Sequence, residues 1–403
     1  MADGRRAPLT DAAIHEALSE ALPRRRPGAA PTVLGAGSDD LESGQRFLAA
    51  MAEEGWMVPA WPSGQGGRGA DEDEATRIAA ALGAYEIPDL YPFGVGLSLV
   101  GPILLEHGTD AQRDRWLAPI ADGTEIWCQM FSEPDAGSDL ANAGTRAVRD
   151  GEEWVLGGSK VWTSRAHYAQ WGLCLARTDV SVPKHRGLTM FAVDMSDPGV
   201  DARPLVQMNG DRHFSEVFLS EVRVPDADRI GEQGSGWGLA VEVLALERAG
   251  LSGRTFGGGE DQDGLPGWLR KLEAGGLLED PLRRQRAMRA YTLHRVSQLT
   301  ARRARAAAEA GRAPGPEGSG AKLRSVLAFR ERAELVKDAM GAAGMLDGDG
   351  HVEFLTAPSM SIRGGTDEIQ RNIIGERVLH LPPEPRVDKD VAYAELRRSA
   401  PPA

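Results

Sequence analysis

The sequence predicts an α+β multidomain chain, with a helical N-terminal domain, an all-β middle domain and a helical C-terminal domain. Three observations predict it. Up to about residue 125 the apolar residues fall at helical spacing, as at Ile78, Ala81 and Leu82. From Ile126 to about Pro225 the chain breaks into short β-favouring runs separated by turn signals such as Asp150-Gly151 and Asp197-Pro198-Gly199. From Gly236 onward helical periodicity returns. The domains are expected at 1–125, 126–236 and 237–385, with a tail at 386–403.

The N-terminal helices carry their own start signals. Asp71 to Glu74 put acidic residues where the helix dipole favours them, and a further helix is expected over Asp110 to Ile120. The run around Tyr91-Pro92-Phe93-Gly94 interrupts the pattern. In the middle domain, His213 to Leu219 and Val222 to Val224 read as two successive short runs. C-terminal helices are expected over Trp237 to Gly250, Arg283 to Gly311, Lys322 to Ala343 and, as the last, Thr366 to Leu379. Loops are expected at Gly257 to Gly267 and Ala313 to Gly320, and an extended tail beyond Leu381, where three prolines follow. The arginines of the long third-domain helix read as a solvated or subunit-facing surface rather than an anion patch.

Bulk properties narrow the function classes. With 403 residues the chain is long for one core and suits two or three packed subdomains. A net charge of -13 argues against a nucleic-acid footprint. Two cysteines, Cys128 and Cys174, give no disulfide framework and fit a reducing cytoplasm. No apolar run approaches the roughly 18–20 residues of a membrane span, so no membrane insertion is expected. The N-terminal stretch lacks a signal-peptide apolar core.

Two nucleotide motifs fail on context. Residues 64–69 match G-x-G-x-x-G, but Trp61-Pro62 precedes them and no βαβ unit follows. Residues 315–322 resemble a P-loop, but Ala321 stands where the lysine belongs. No metal-ligand spacing appears, and no metal is expected.

Other segments hold. The run SEPDAGSD at 132–139 follows a predicted strand, and its Ser, Gly and Asp residues suit turning hydroxyls and N–H groups towards an anion; an ordinary turn is the alternative. The run KVWTS at 160–164 sets an aromatic beside two hydroxyls, suited to a flat ring with polar edges; a buried core tryptophan is the alternative. Together with GGTDEIQR at 364–371, these runs resemble, from about residue 40 to 383, the FAD-dependent acyl-CoA dehydrogenase family. Its motifs are a (T/S)-E-P-x-A-G-S-D loop, a W-x-(T/S) strand and a C-terminal G-T-x-E-I-Q-R segment.

The resemblance implies a helical N-terminal domain, a β-barrel middle domain and a C-terminal four-helix bundle. FAD is expected between barrel and bundle, partly held by a neighbouring subunit. Gln129, Phe131 and Ser132 would flank the flavin, with Trp162 and Ser164 at its ring and Ser138 near the pyrophosphate or the CoA arm. Thr366 and Glu368 would contact the rest of the FAD. The implied reaction removes the α-proton of an acyl thioester while the β-hydrogen leaves as hydride to flavin N5, giving a trans-2-enoyl thioester. The implied partners are an acyl-CoA or acyl-carrier-protein substrate and an electron-transfer flavoprotein or similar acceptor, in a homotetramer or heterotetramer.

The general base needs an explicit argument. In many family members it directly precedes the Gly-Thr of the C-terminal motif, where this chain has Gly364. A subset resembling the isovaleryl and long-chain enzymes carries it on an earlier helix, matching Glu247 here. Ala240, Leu244, Glu247 and Leu251 share one helix face, so Glu247 lies on an otherwise apolar stripe. An acid there loses solvation, which suits a base working near neutrality. A glutamate paired with an arginine is the alternative; neighbouring Arg248 is a candidate contact for substrate or the CoA arm.

Two family segments are altered. The inter-subunit R-x-x-F-G segment is reduced to residues 280–285, where Arg284 is the candidate FAD contact and the Phe is missing. A Q-x-x-G-G-x-G segment is reduced to 338–344. Such losses are similar to those of actinobacterial members that act as heteromeric pairs. The alternatives are therefore a FAD-binding or structural partner subunit without turnover of its own, and a flavin oxidase relative.

Overall fold

The computed structural model describes residues 8–24, 40–253, 265–309, 315–316, 318–346, 348–386 and 388–399. Among the described residues the N-terminal region holds α1 (Asp11–Ala21), α2 (Leu41–Ala52), α3 (Glu72–Leu82), α4 (Gly101–His107) and α5 (Asp110–Ala121). Capping side chains fix where they begin. Asp71 accepts the N–H of Glu74 at 2.8 Å, and Thr109 and Gln112 form a reciprocal capping box on α5. Ile14, Leu18, Met51, Trp56, Ile78 and Leu82 make one apolar core between α1, α2 and α3. The glycine run at 64–69 follows no strand. A Cβ on Gly67 would lie 2.1 Å from the Trp61 carbonyl oxygen, so this glycine serves close packing.

The middle domain holds β1 (Trp127–Met130), β2 (Arg146–Asp150), β3 (Glu153–Ser164), β4 (Trp171–Arg177), β5 (Leu188–Asp194), β6 (Val200–Leu205), β7 (Phe214–Pro225) and β8 (Arg229–Ile230). They form one sheet in the order β6-β7-β3-β2-β4-β5-β8, with β1 added parallel to β4. Met130, Leu156, Cys174, Phe191 and Val217, from five strands, share one core, where Trp154 meets Phe191 at 5.5 Å. The two runs expected at 213–224 are a single strand. The break between them is a bulge, with Glu221 at φ +55° and a register shift opposite Leu156 and Gly158.

The C-terminal helices are α6 (Gly236–Gly253), α7 (Gly267–Ala274), α8 (Pro281–Glu309), α9 (Gly318–Ala339), α10 (Asp349–Met360), α11 (Asp367–Ile373) and α12 (Tyr393–Ser399). α9 is central and packs against α6, α8, α10 and α11. It stops at Ala339 rather than 343 because Gly341, at φ +57°, turns the chain into a 3₁₀ segment. Helix α10, absent from the expected set, carries Pro358 inside it and follows Gly348. Of the two loops expected from the sequence, 257–264, 313–314 and 317 lie outside the described residues.

The expectation of an extended tail is corrected. Residues 381–386 form no regular element, but α12 follows and docks on the middle domain. Tyr393 is buried, its ring lies 3.7 Å under the Arg177 guanidinium, and its N–H bonds the Val182 carbonyl at 3.0 Å. No described helix is long and apolar enough to cross a membrane.

Candidate active site

One wall of the site is built where β1 and β3 meet. Lys160 on β3 is fully buried, and its ammonium donates to Glu133 at 2.8 Å and to the carbonyls of Leu175 and Phe131 at 2.6 and 3.2 Å. Glu133 also accepts the N–H groups of Gly144 and Thr145 at 2.6 and 2.9 Å. Burial pushes the Glu133 carboxyl up, but the Lys160 charge and these hydrogen bonds outweigh it and hold the group below its ordinary value. The 132–139 loop is thus tied at its start to β3 and to the segment leading into β2. Its far end is held differently: Asp139 accepts from Lys184 at 2.7 Å, and Lys184 also donates to Asp388 at 2.6 Å.

This anchoring presents Trp162. Val161 donates its N–H to the Ser132 carbonyl at 2.9 Å, and β3 shifts register between Lys160 and Thr163. Trp162 takes φ +60° within that shift, a conformation costing a non-glycine residue about 1–2 kcal/mol. Its indole is 60% exposed and touches Phe214 edge-on at 5.9 Å. The alternative of a core tryptophan is thereby removed. Half-buried Ser164 pairs with Phe214 on β7, and half-buried Ser132 is bonded to Val161 beside Trp162. Phe131 is buried and Gln129 half-buried on the adjoining β1 edge; Ser138 is exposed in the loop. Ser132, Trp162 and Ser164 therefore lie close together as one shelf, and Gln129 and Phe131 stand on the segment that leads into Ser132.

The facing elements come from the C-terminal region. Gly364 and Gly365 take φ +66° and +85°, which only glycine adopts without strain. Gln370, fully buried, donates its amide to the Gly364 carbonyl at 3.0 Å and fixes this turn. Thr366 is the N-cap of α11, accepting the Ile369 N–H at 3.3 Å, and exposed Glu368 pairs with Arg371. Glu247 is half-buried on α6. Leu239, Ala240 and Val243 of the same helix are buried against Leu99 and Val100, and Leu244 packs beside them. The expected apolar face is present through Leu244; the Leu251 and Arg248 side chains lie outside the described residues. Arg284 is exposed at the start of α8, where it donates to the Leu278 carbonyl at 3.3 Å of its own chain.

Sequence reasoning missed a further group of residues. Tyr91 lies in the turn that leads to Leu99 and Val100. The Arg165 guanidinium sits 4.2 Å from its ring, and the Arg165 N–H bonds the His213 carbonyl at 2.6 Å. For Arg363, one residue before Gly364, burial pushes the guanidinium pKa down, opposed by the charges of Tyr91 and Asp211. No local pattern marks these residues; only the fold brings them together. Lys160 and Glu133 did stand inside the quoted motifs, and a lysine within a predicted strand of the middle domain was the available signal.

Comparison with known proteins agrees with this architecture. The family models for the N-terminal, middle and C-terminal domains of acyl-CoA dehydrogenase match residues 30–124, 128–222 and 234–379. The chain is 39% identical over 335 residues to the acyl-CoA dehydrogenase FadE34 of Mycobacterium tuberculosis, covering 83% of this chain but only 46% of that protein. It is 39% identical over 342 residues to the acyl-CoA dehydrogenase IpdE1 of the same organism, covering 83% of this chain and 87% of IpdE1. It is also similar to the crystal structure of the ChsE4-ChsE5 complex from Mycobacterium tuberculosis, with TM-score 0.64 and 27% identity over 84% of this chain and 90% of that one. The three matched domains and these relatives show that the chain belongs to the acyl-CoA dehydrogenase family of oxidoreductases.

Proposed function

We propose that this protein converts an acyl-CoA to the trans-2-enoyl-CoA, with Glu247 as the base and FAD as its cofactor. The observation that carries the reading is the Trp162 shelf. A strained, outward-facing indole between the half-buried hydroxyls of Ser132 and Ser164 offers a flat apolar surface with polar edges. This donor set fits a flavin ring. Gln129, Phe131, Ser132, Trp162 and Ser164 would hold the ring, and Ser138, Thr366, Glu368 and Arg284 the remainder of the FAD. Bound there, FAD supplies the acceptor for the hydride that leaves the substrate's β-carbon.

The chain's own residues handle the proton. The α-carbon of a thioester is weakly acidic, so a positioned carboxylate must take its proton. Gly364 offers no side chain for this. Glu247 is a half-buried carboxylate on a helix whose adjoining turns are packed into the core. Its carboxylate oxygen accepts the α-proton, and Arg248 contacts the substrate or its CoA arm.

Purified protein should be yellow, with about one FAD per active chain, and should reduce an artificial acceptor with members of an acyl-CoA panel. Folded protein that stays colourless with added FAD, alone and with a partner chain, would overturn the reading. Oxygen consumption without any acceptor would point instead to an oxidase.

The assembly we infer is a tetramer, with an electron-transfer flavoprotein or similar protein as electron acceptor. The altered segments at 280–285 and 338–344 and the likeness to the ChsE4-ChsE5 complex support a heteromeric form of it. An active, FAD-loaded monomer in light scattering would refute this.

A further inference from the structure

Helix α12 has no role in the chemistry above, yet it reaches the loop that carries Ser138. That loop runs on from Asp139 into a 3₁₀ turn, Leu140–Asn142. The carbonyls of Ala141, Asn142 and Ala143, consecutive in the chain, all accept side-chain hydrogen bonds. Arg177 donates to Ala141 at 2.6 Å and to Ala143 at 2.9 Å. Tyr393 of α12 donates its hydroxyl to Asn142 at 3.3 Å. Arg177 also donates to the Lys184 carbonyl at 2.9 Å, which joins this turn to the loop between β4 and β5. Arg177 is buried, and the Tyr393 ring covers its guanidinium at 3.7 Å. A guanidinium stacked on an aromatic face keeps its in-plane N–H groups for hydrogen bonds, and a ring that excludes water strengthens those bonds.

The rest of the chain end holds the same two loops. Tyr393 and Ala394 donate their N–H groups to the carbonyls of Val182 and Val180, both at 3.0 Å, and Ala392 bridges to Pro183. Asp388 bonds Lys184, which bonds Asp139 in turn. Residues 388–399 therefore lie as a strap across two segments far apart in sequence, 139–143 and 178–187. Beyond the 3₁₀ turn, neither segment contains a helix or a strand of more than one bridge. Segments of that kind open readily unless other elements hold them, and ordering them on ligand binding costs conformational entropy.

We infer that Tyr393 is a positioning residue: acting through Arg177, it holds the 139–143 turn, and with it Ser138, in the conformation that receives the diphosphate of a bound nucleotide, FAD or CoA. The inference rests on the reading above, in which Ser138 meets one of these ligands. It adds that docking of α12 and binding of the diphosphate are one linked equilibrium. Without Tyr393 the ligand must order the turn itself, and ordering a single residue corresponds to about 5- to 30-fold in affinity. Linkage is reciprocal, so the ligand must tighten the docking of α12 by the same factor.

Hydrogen exchange and equilibrium binding test the two directions without requiring turnover. In wild-type protein, saturating ligand should slow exchange of the Tyr393 and Ala394 amides about 5- to 30-fold. Slowing on addition of FAD assigns the loop to the FAD diphosphate; slowing only when free CoA is added to FAD-loaded protein assigns it to the CoA arm. The dissociation constant of the same ligand, from flavin fluorescence for FAD or calorimetry for CoA, should rise about 5- to 30-fold in Tyr393→Ala. Tyr393→Phe keeps the ring on Arg177 and loses only the Asn142 bond, so it should recover most of that loss. Wild-type protein that binds FAD and CoA with no change of exchange at residues 393 and 394 overturns the inference and leaves the acyl-thioester reading standing; this arm decides the matter even where Tyr393→Ala does not fold. Folded Tyr393→Ala that binds both ligands at wild-type strength overturns it equally. Wild-type protein that binds neither FAD nor CoA counts against that reading and removes this inference with it.

Discussion

On the Trp162 side of the site a buried ammonium, Lys160, gathers a carboxylate and two carbonyls and so fixes the 132–139 loop. On the Gly364 side the corresponding task falls to a neutral amide, Gln370, and to two glycines in left-handed conformations. Charges removed from water must be matched completely, and breaking the match is costly. A neutral amide leaves a smaller deficit when lost. The shelf should therefore be coupled to the stability of the whole domain, whereas residues on the facing wall should change activity with little effect on folding.

The largest effect expected is on the facing wall and concerns rate alone. Glu247→Gln keeps the shape of the side chain but accepts no proton. Loss of a general base costs on the order of 10² to 10⁴ in rate. Stopped-flow mixing with substrate should show flavin that fails to bleach, while the melting temperature and FAD content stay at wild-type values. Reduction at the wild-type rate would remove Glu247 from the mechanism.

The next effect is on the shelf and concerns stability. Lys160→Met leaves the Glu133 carboxylate buried without its cation, at a cost of about 3–5 kcal/mol. Adding Glu133→Gln should recover most of that loss. The pH dependence has a defined sign. The folded-state value of Glu133 is depressed, so its contribution is fully present above the ordinary carboxylate value near about 4.3 and is lost as pH falls through the depressed one. Acid denaturation of Glu133→Gln should accordingly be less steep than that of wild type. A Lys160→Met protein as stable as wild type would show that the shelf is not held by this pair.

This contrast also sorts what the sequence makes legible. The order of helical, β and helical regions follows from local periodicity, and the shelf residues follow from runs a few residues long. Partners far apart in sequence do not. Lys160 and Glu133 are 27 residues apart, and their pairing depends on β1 lying beside β3. The outward turn of Trp162 depends on a register shift between β3 and β7 that no alternation pattern encodes. Arg165 reads as a turn residue after β3 until the N-terminal Tyr91 is brought to its guanidinium. Helix α12 was hidden because its anchor, the Arg177–Tyr393 contact, joins the middle domain to the chain's last described helix.

A smaller effect should separate the two glycines of the facing turn. Gly364→Ala places a Cβ at φ +66°, which costs about 1–2 kcal/mol. Gly365→Ala adds a steric conflict, since its Cβ would lie 2.7 Å from the Gln370 amide nitrogen that donates to the Gly364 carbonyl. Denaturant titration should rank Gly365→Ala below Gly364→Ala, and both above Lys160→Met in stability. Reversal of the two glycine variants would mean that Gln370 is not the anchor of the turn.

The smallest effect is expected at the far end of the 132–139 loop, where the ionic contacts are only partly buried. Lys184 bridges Asp139 and Asp388, and the bridge ties the loop to the chain just before α12. The Lys184 hydrogen bond lowers the Asp388 pKa to about 2. For Lys184, burial pushes the pKa down, but Asp139 and Asp388 together raise it above its ordinary value. The Asp388 contribution is therefore present above the ordinary aspartate value near about 3.9 and is lost only as pH falls through about 2. Across neutral pH the bridge is constant. Asp388→Asn removes one arm and leaves the other, and pairs of this exposure contribute about 0.2–1 kcal/mol. Helix α12 keeps its own anchors, the Arg177–Tyr393 contact and the N–H bonds of Tyr393 and Ala394 to Val182 and Val180. Thermal unfolding of Asp388→Asn should differ little from wild type and should converge with it at high salt. Hydrogen exchange should quicken at residues 388–396 while β1 and β3 are unaffected. Equal quickening in β3 would mean that this outer bridge and the buried Lys160 pair act as one unit, against the separation argued from their burial.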